Sequence, residues 1–279
     1  RILVTNDDGI DSIGLHVLAR AMRSFGEVVI AAPDQEYSGA GAAIGALHII
    51  QPEVQRRHIE GIDTAWAVTG PPALCVFFAR LGVYGPPFDL VVSGINPGAN
   101  VGRAVYHSGT VGAAITARNG GISGIAISQA VTGFGVEGQG WDDALKGQMW
   151  ESAATVAQRV VEGWIADRPK EAVVINVNVP NCAVSEMKGW RRTDIGHVVT
   201  RAMAGAELEP KEGHDGAFYV RMTYGDTIQM PGETDGGAVE NGEVAITYIG
   251  RFNDVPSQGS AAVNDALTTL VGQANTLHS

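Results

Sequence analysis

The chain opens with a short β-rich run, Arg1-Ile-Leu-Val-Thr5, then a turn signal, Asn6-Asp-Asp-Gly9, then apolar residues at helical spacing: Leu15, Leu18, Met22 and Phe25. Gly26 stands where a helix-ending glycine belongs, and Val28-Val-Ile-Ala-Ala32 reads as a second strand closed by Pro33. A strand, a helix and a strand joined by connections this short pack as a right-handed parallel unit. That unit commits the chain to a parallel sheet whose faces must be covered.

The alternation continues. A strand is expected at 65–69, a helix from Gly70-Pro-Pro72 to about residue 80, a strand at 89–93 and a short helix at 112–119. A strand at 124–128, a long helix at 141–166 and a strand at 172–179, stopped by Pro180, complete the series. Continuous Val/Ile runs between helices indicate an α/β fold with a mostly parallel sheet buried on both faces. The pattern changes after about Asn181. Residues 218–224 and 243–249 read as antiparallel strands, and 261–277 as a weakly amphipathic C-terminal helix. The expected organisation is one core, 1–183 and 241–279, with 184–240 as a hairpin arm of the kind that packs on a neighbouring subunit. The loop 133–140 is glycine-rich.

A chain of 279 residues can bury a sizeable core without staples. Its net charge of −11 argues against a nucleic-acid polymer as partner, because that needs a basic footprint. An anionic substrate would have to be drawn in by a local positive element, a bound cation or a helix N-terminus. Cys75 and Cys182 have no CxxC context and read as thiols in a reducing compartment. No apolar run is long enough for a membrane span and no leader is read at the start, so the expected location is the cytoplasm.

In an open parallel sheet, ligands bind where loops leave the carboxyl ends of the strands. The first strand exits into Asn6, Asp7, Asp8 and Gly9, and the second into a loop that holds Ser38 and Gly39. The strand ending at Ser93 exits into Gly-Ile-Asn96-Pro-Gly-Ala-Asn100, and His107-Ser-Gly-Thr110 then leads into a helix. Adjacent aspartates repel unless a cation sits with them, and an all-oxygen set of Asp, Ser and Asn suits Mg²⁺, Mn²⁺ or Ca²⁺. The alternative is a plain Asp-Asp-Gly turn in which Asp8 caps the next helix. Ser108-Gly-Thr110 at a helix start makes a phosphate cradle or, again, an ordinary N-cap. Together, a dication site and an anion nest on one rim are equipment for hydrolysing a phosphate ester.

Asn6-Asp-Asp-Gly9, Ser38-Gly-Ala40, Ser93-Gly-Ile-Asn96-Pro-Gly-Ala-Asn100 and Ser108-Gly-Thr110, in this order and spacing, resemble the SurE family of survival-protein nucleotidases. Ile175-Asn-Val-Asn-Val-Pro180 and Thr234-Asp235 resemble it too. The resemblance implies a Rossmann-like three-layer α/β/α fold and 5′/3′-nucleotidase or acid-phosphatase activity. It also implies one divalent cation per subunit, Mg²⁺ or Mn²⁺ with Ca²⁺ as a substitute, and a homodimer or homotetramer with exchanged C-terminal segments. By motif match the metal ligands are Asp7, Asp8, Ser38 and Asn96, with Asp7 and Asp8 also catalytic. Phosphate contacts fall on Asn6, Gly39, Asn96, His107, Ser108, Gly109 and Thr110.

The chain also departs from the family pattern. Gly102-Arg103-Ala104 stands for Gly-Asp-Asp, His107 for Tyr, Gly41 for a second Ser, and Gly70-Pro-Pro-Ala-Leu-Cys75 for Gly-Thr-Pro-Thr-Asp-Cys. The two acids lost and the arginine gained at 103–104 point to an altered substrate range, so a specialised phosphatase acting on another small ester is one alternative. A non-catalytic nucleotide-binding or dinucleotide-binding protein is another. Gly39-Ala-Gly41-Ala-Ala-Ile-Gly45 loosely matches a dinucleotide fingerprint, but it follows a polar loop and leads into an apolar, β-like run rather than a helix.

Overall fold

The computed structural model describes residues 1–132, 141–197, 201–252 and 261–272. The loop 133–140 and the end of the expected last helix, 273–277, lie outside these residues. The chain groups into two compact units, Arg1–Ile249 and Gly250–Ser279. The hairpin region therefore belongs to the larger unit. The smaller unit holds the helix Ala261–Val271.

The opening reads out directly as strand β1 (Ile2–Thr5), helix α1 (Ile13–Met22) and strand β2 (Val28–Pro33). An edge strand β3 (Val54–Ile59) precedes β4 (Ile62–Val68), helix α2 (Pro72–Arg80) and β5 (Leu90–Pro97). Helix α3 (Gly109–Asn119) and strand β6 (Ser123–Gln129) follow, then α4 (Trp141–Leu145), α5 (Trp150–Ala166) and β7 (Val174–Val179). The last part has β8 (Trp190–Arg192), the paired strands β9 (Arg201–Pro210) and β10 (Phe218–Thr227), helix α6 (Asp235–Glu240) and β11 (Val244–Ile249).

Among the described residues the main sheet has the order β3-β4-β2-β1-β5-β6-β7-β11-β8, and β10-β9 form a separate antiparallel pair. The central run from β4 to β7 is parallel, with Val4 opposite Ile30 and Thr5 opposite Ser93. β3 runs antiparallel to β4, and β11 runs antiparallel to β7 but parallel to β8. Side chains alternate across the sheet, so one strand feeds two cores. Ile2 and Val4 join Leu15, Leu18, Met22, Val161 and Trp164 beneath α1 and α5. Leu3 joins Val29, Leu74, Val91 and Ala113 beneath α2 and α3. This is the three-layer α/β/α arrangement expected from the Val/Ile runs.

Three local expectations change. The helix expected at 141–166 is broken at 146–149. Gln148 is buried there and donates to the Gln129 side chain and the Ala130 carbonyl, while the Met149 N–H donates to Asn181. These bonds to β6 and beyond outcompete helix continuation. The apolar run after Gly45 forms turns rather than a strand. β3 escapes sequence reading because its edge position leaves Gln55, Arg56, Arg57 and His58 exposed, which hides the alternation. Among the described residues no helix is long and apolar enough to cross a membrane.

Candidate metal and phosphate site

From β1 the chain moves to β2 on one side of the sheet and later to β5 on the other, so the strand order reverses between β1 and β5. Crevices at such switch points are where open α/β sheets bind ligands. The carboxyl ends of β2, β1 and β5 are neighbours there: Ser38 and Gly39 follow β2, Asn6 to Asp8 follow β1, and Asn96 lies in the last two residues of β5.

Asn6 is fully buried and shapes the turn. Its amide nitrogen donates to the Gly9 carbonyl at 3.1 Å and to Asp8 Oδ2 at 3.3 Å, while its Oδ1 has no hydrogen-bond partner. The Tyr37 N–H donates to the Asp7 carbonyl at 2.7 Å and draws the loop after β2 onto the aspartates. Ser38 and Gly39 are exposed on that loop, and the Ser38 N–H donates to Glu36. Asn96 is almost buried, with its amide nitrogen donating to the Gly98 carbonyl at 2.6 Å.

Helix α3 starts against the aspartates. Ser108 is its N-cap, accepting from the Val111 N–H at 3.1 Å. The Thr110 hydroxyl, expected on phosphate, donates to Asp7 Oδ1 at 2.6 Å. Gly109 is required by proximity: a Cβ there would lie 2.8 Å from Asp7 Cβ and Oδ2. His107 is exposed, and its carbonyl accepts from Gly41, which ties the loop after β2 to the start of α3.

Electrostatics set the two acids apart. Burial pushes Asp7 above the usual carboxylate range, opposed by its bond from Thr110. Asp8 is pushed up to about 8, by burial first, then by Asp7 and Glu36. Among the described residues neither forms a salt bridge. Nor does any group of three or more His, Cys, Asp or Glu stand ready for a metal among them. The available donors are two carboxylates with neutral oxygens from Asn and Ser. A repelling acid pair without a cationic neighbour, beside an unpartnered buried amide oxygen, fits a hard divalent ion.

Sequence reading does not supply the contacts that brace this rim. Glu36 lies in the loop after β2, near enough to raise both aspartates. The loop after β5 is pinned through Asn100. Its N–H donates to Asn178, its amide to Ser128, and its carbonyl accepts from Asn176 and Asn178. Two asparagines in an otherwise apolar strand, Asn176 and Asn178, are the signal for such a network.

Residues 2–202 match the family model described as Survival protein SurE. A 5′-nucleotidase SurE of Haemophilus influenzae (strain PittGG) is 33% identical over 252 residues, covering 89% of this chain and 90% of its own. A 5′-nucleotidase SurE of Dehalococcoides mccartyi (strain CBDB1) is 37% identical over 255 residues, with 89% and 88% covered. The crystal structure of the SurE protein from Aquifex aeolicus superposes with a TM-score of 0.69 at 30% identity, covering 96% of this chain and 98% of that one. The chain belongs to the SurE family.

Proposed function

We propose that the chain is a metal-dependent phosphomonoesterase acting on nucleoside monophosphates. The observation that carries this reading is the pair of buried Asp7 and half-buried Asp8 at the switch point of the sheet, with Asp7 set against the N-terminus of α3. The names of the relatives, 5′-nucleotidase SurE, support it.

Asp7, Asp8, Ser38 and Asn96 would hold a Mg²⁺ or Mn²⁺ ion, which when bound neutralises charge on a phosphate oxygen and acidifies a bound water. The other roles follow from the chain itself. Thr110 fixes Asp7 in one orientation. Ser108 accepts from Val111, which leaves its own hydrogen to donate to a phosphate oxygen. The positive end of α3 adds attraction for the same anion, with the Val111 and Gly112 N–H groups already bonded to Ser108. The water oxygen bonds to phosphorus as the bond to the leaving oxygen breaks. Asp8 takes the proton the water loses, and His107, on the exposed side of the loop, gives one to the leaving oxygen. The net change is one water consumed.

Phosphate release from a panel of nucleoside monophosphates, with Mn²⁺, Mg²⁺ or EDTA, tests this. Release should need the metal. Asp7→Asn and Asp8→Asn should each lose about 10²–10³-fold in turnover with the circular-dichroism spectrum unchanged. Full turnover in either variant sinks the assignment. We also infer a homodimer or homotetramer, because Leu208, Phe218, Tyr219 and Val220 on the hairpin are exposed. Light scattering on the eluted protein reads the subunit number.

A further inference from the structure

A cleft of about 530 Å³ opens beside the phosphate loop, between Arg103, Tyr106 and His107 on one wall and Ile195, Gly196 and His197 on the other. The first wall is the 3₁₀ turn Gly102–Tyr106 and the residue after it, so it runs straight into Ser108. A group bound in the cleft therefore lies next to any phosphate held at the start of α3.

The cleft is built rather than incidental. Asp235 is fully buried, and its carboxylate ties both walls together. Oδ2 accepts from the Gly102 N–H at 3.0 Å, and Oδ1 accepts from the Gly196 N–H at 2.9 Å and the Gly236 N–H at 2.9 Å. One side chain thus sets the separation of the walls. The lining chemistry is equally definite. In a chain of net charge −11, these six residues include one permanent cation, two imidazoles, one phenol ring and no acid. Tyr106 offers an aromatic face and Ile195 an apolar one, both suited to a flat ring. A neutral leaving group gives Arg103 nothing to pair with; a carboxylate or second phosphate does.

We propose that this cleft is the leaving-group subsite, and that through Arg103 it selects phosphomonoesters whose leaving group carries a second anionic group beside a flat ring. The inference rests on the phosphatase reading and ranks its substrates: a nucleoside monophosphate, whose leaving nucleoside is neutral, fills the cleft without pairing with Arg103, and an ester with a second anion is preferred.

The test compares kcat/KM for 4-carboxyphenyl phosphate and the nearly isosteric, neutral 4-carbamoylphenyl phosphate, with AMP measured alongside. The wild type should favour the carboxylate ester about three- to tenfold at low salt, a preference that fades as NaCl is raised. Arg103 is exposed, so Arg103→Glu should fold, and it should reverse the preference. Equal kcat/KM for the two esters, or a preference unchanged in Arg103→Glu, overturns the subsite while leaving the phosphatase reading in place. No phosphate released from either ester or from AMP overturns both.

Discussion

Asp8 shows how one residue can report on the whole site. Its pKa stands at about 8, against an ordinary value of 3.8, because burial, Asp7 and Glu36 all oppose its charge. An acid whose folded value lies above its unfolded one favours the fold when protonated. Its contribution to stability is thus intact below about pH 4 and is lost as pH climbs towards 8. Asp8→Asn carries no charge to lose. In EDTA, the melting temperature of the wild type minus that of Asp8→Asn should fall between pH 4 and pH 8 and level off above. Mn²⁺ should flatten the fall, since a cation stabilises the ionised pair. A difference that stays constant across this window in EDTA would mean that Asp7 and Glu36 do not oppose the charge of Asp8.

At the scale of elements, the site depends on α3 sitting unusually close to the end of β1 and to the loop after β2. Gly109 permits the first approach and Gly112 the second, where a Cβ would run into the backbone of Gly41. Gly109→Ala should cost about 1–3 kcal/mol by overpacking, a drop of about 2–4 °C in melting temperature per kcal/mol. Its activity should fall about tenfold or more, further than the stability loss alone implies, because the displaced group is Asp7. Phosphate release and a thermal melt on the same sample check this, and full activity in the variant would exclude so tight a contact. The elements around the site were legible because their signals are local. Ile2 to Val4 and Val28 to Ala32 are continuous apolar runs, and Ser108 is a cap residue ahead of a helix. The break at 146–149 was not legible, because its cause is Gln148 reaching Gln129, which no helical periodicity records. Glu36 carries no sequence signal of its own, since only the folded loop brings its charge near Asp7 and Asp8.

For the molecule as a whole, what escapes sequence reading is the pairing of residues that join distant segments. Asn100 with Asn176 and Asn178 is one such junction. Asp235 with Gly102 is another, across 133 positions. A motif can mark such a residue, as Thr234-Asp235 did, but its partner is set by topology alone. Asp235 joins the region after β7 to the loop before α3, so the periphery and the site are mechanically one piece. Asp235→Asn keeps the size of the side chain but replaces one acceptor oxygen with an NH₂ group. Either Gly102, or Gly196 together with Gly236, then faces a donor and loses its partner in a buried setting. Leaving a buried group unpaired costs about 1–3 kcal/mol. The urea midpoint should therefore fall with an unchanged slope, since the surface exposed on unfolding stays the same. KM for AMP should rise more than kcat falls, because the walls of the cleft move while Asp7, Asp8 and Thr110 keep their places. A variant with the wild-type midpoint and KM would mean that the two walls hold their spacing without Asp235.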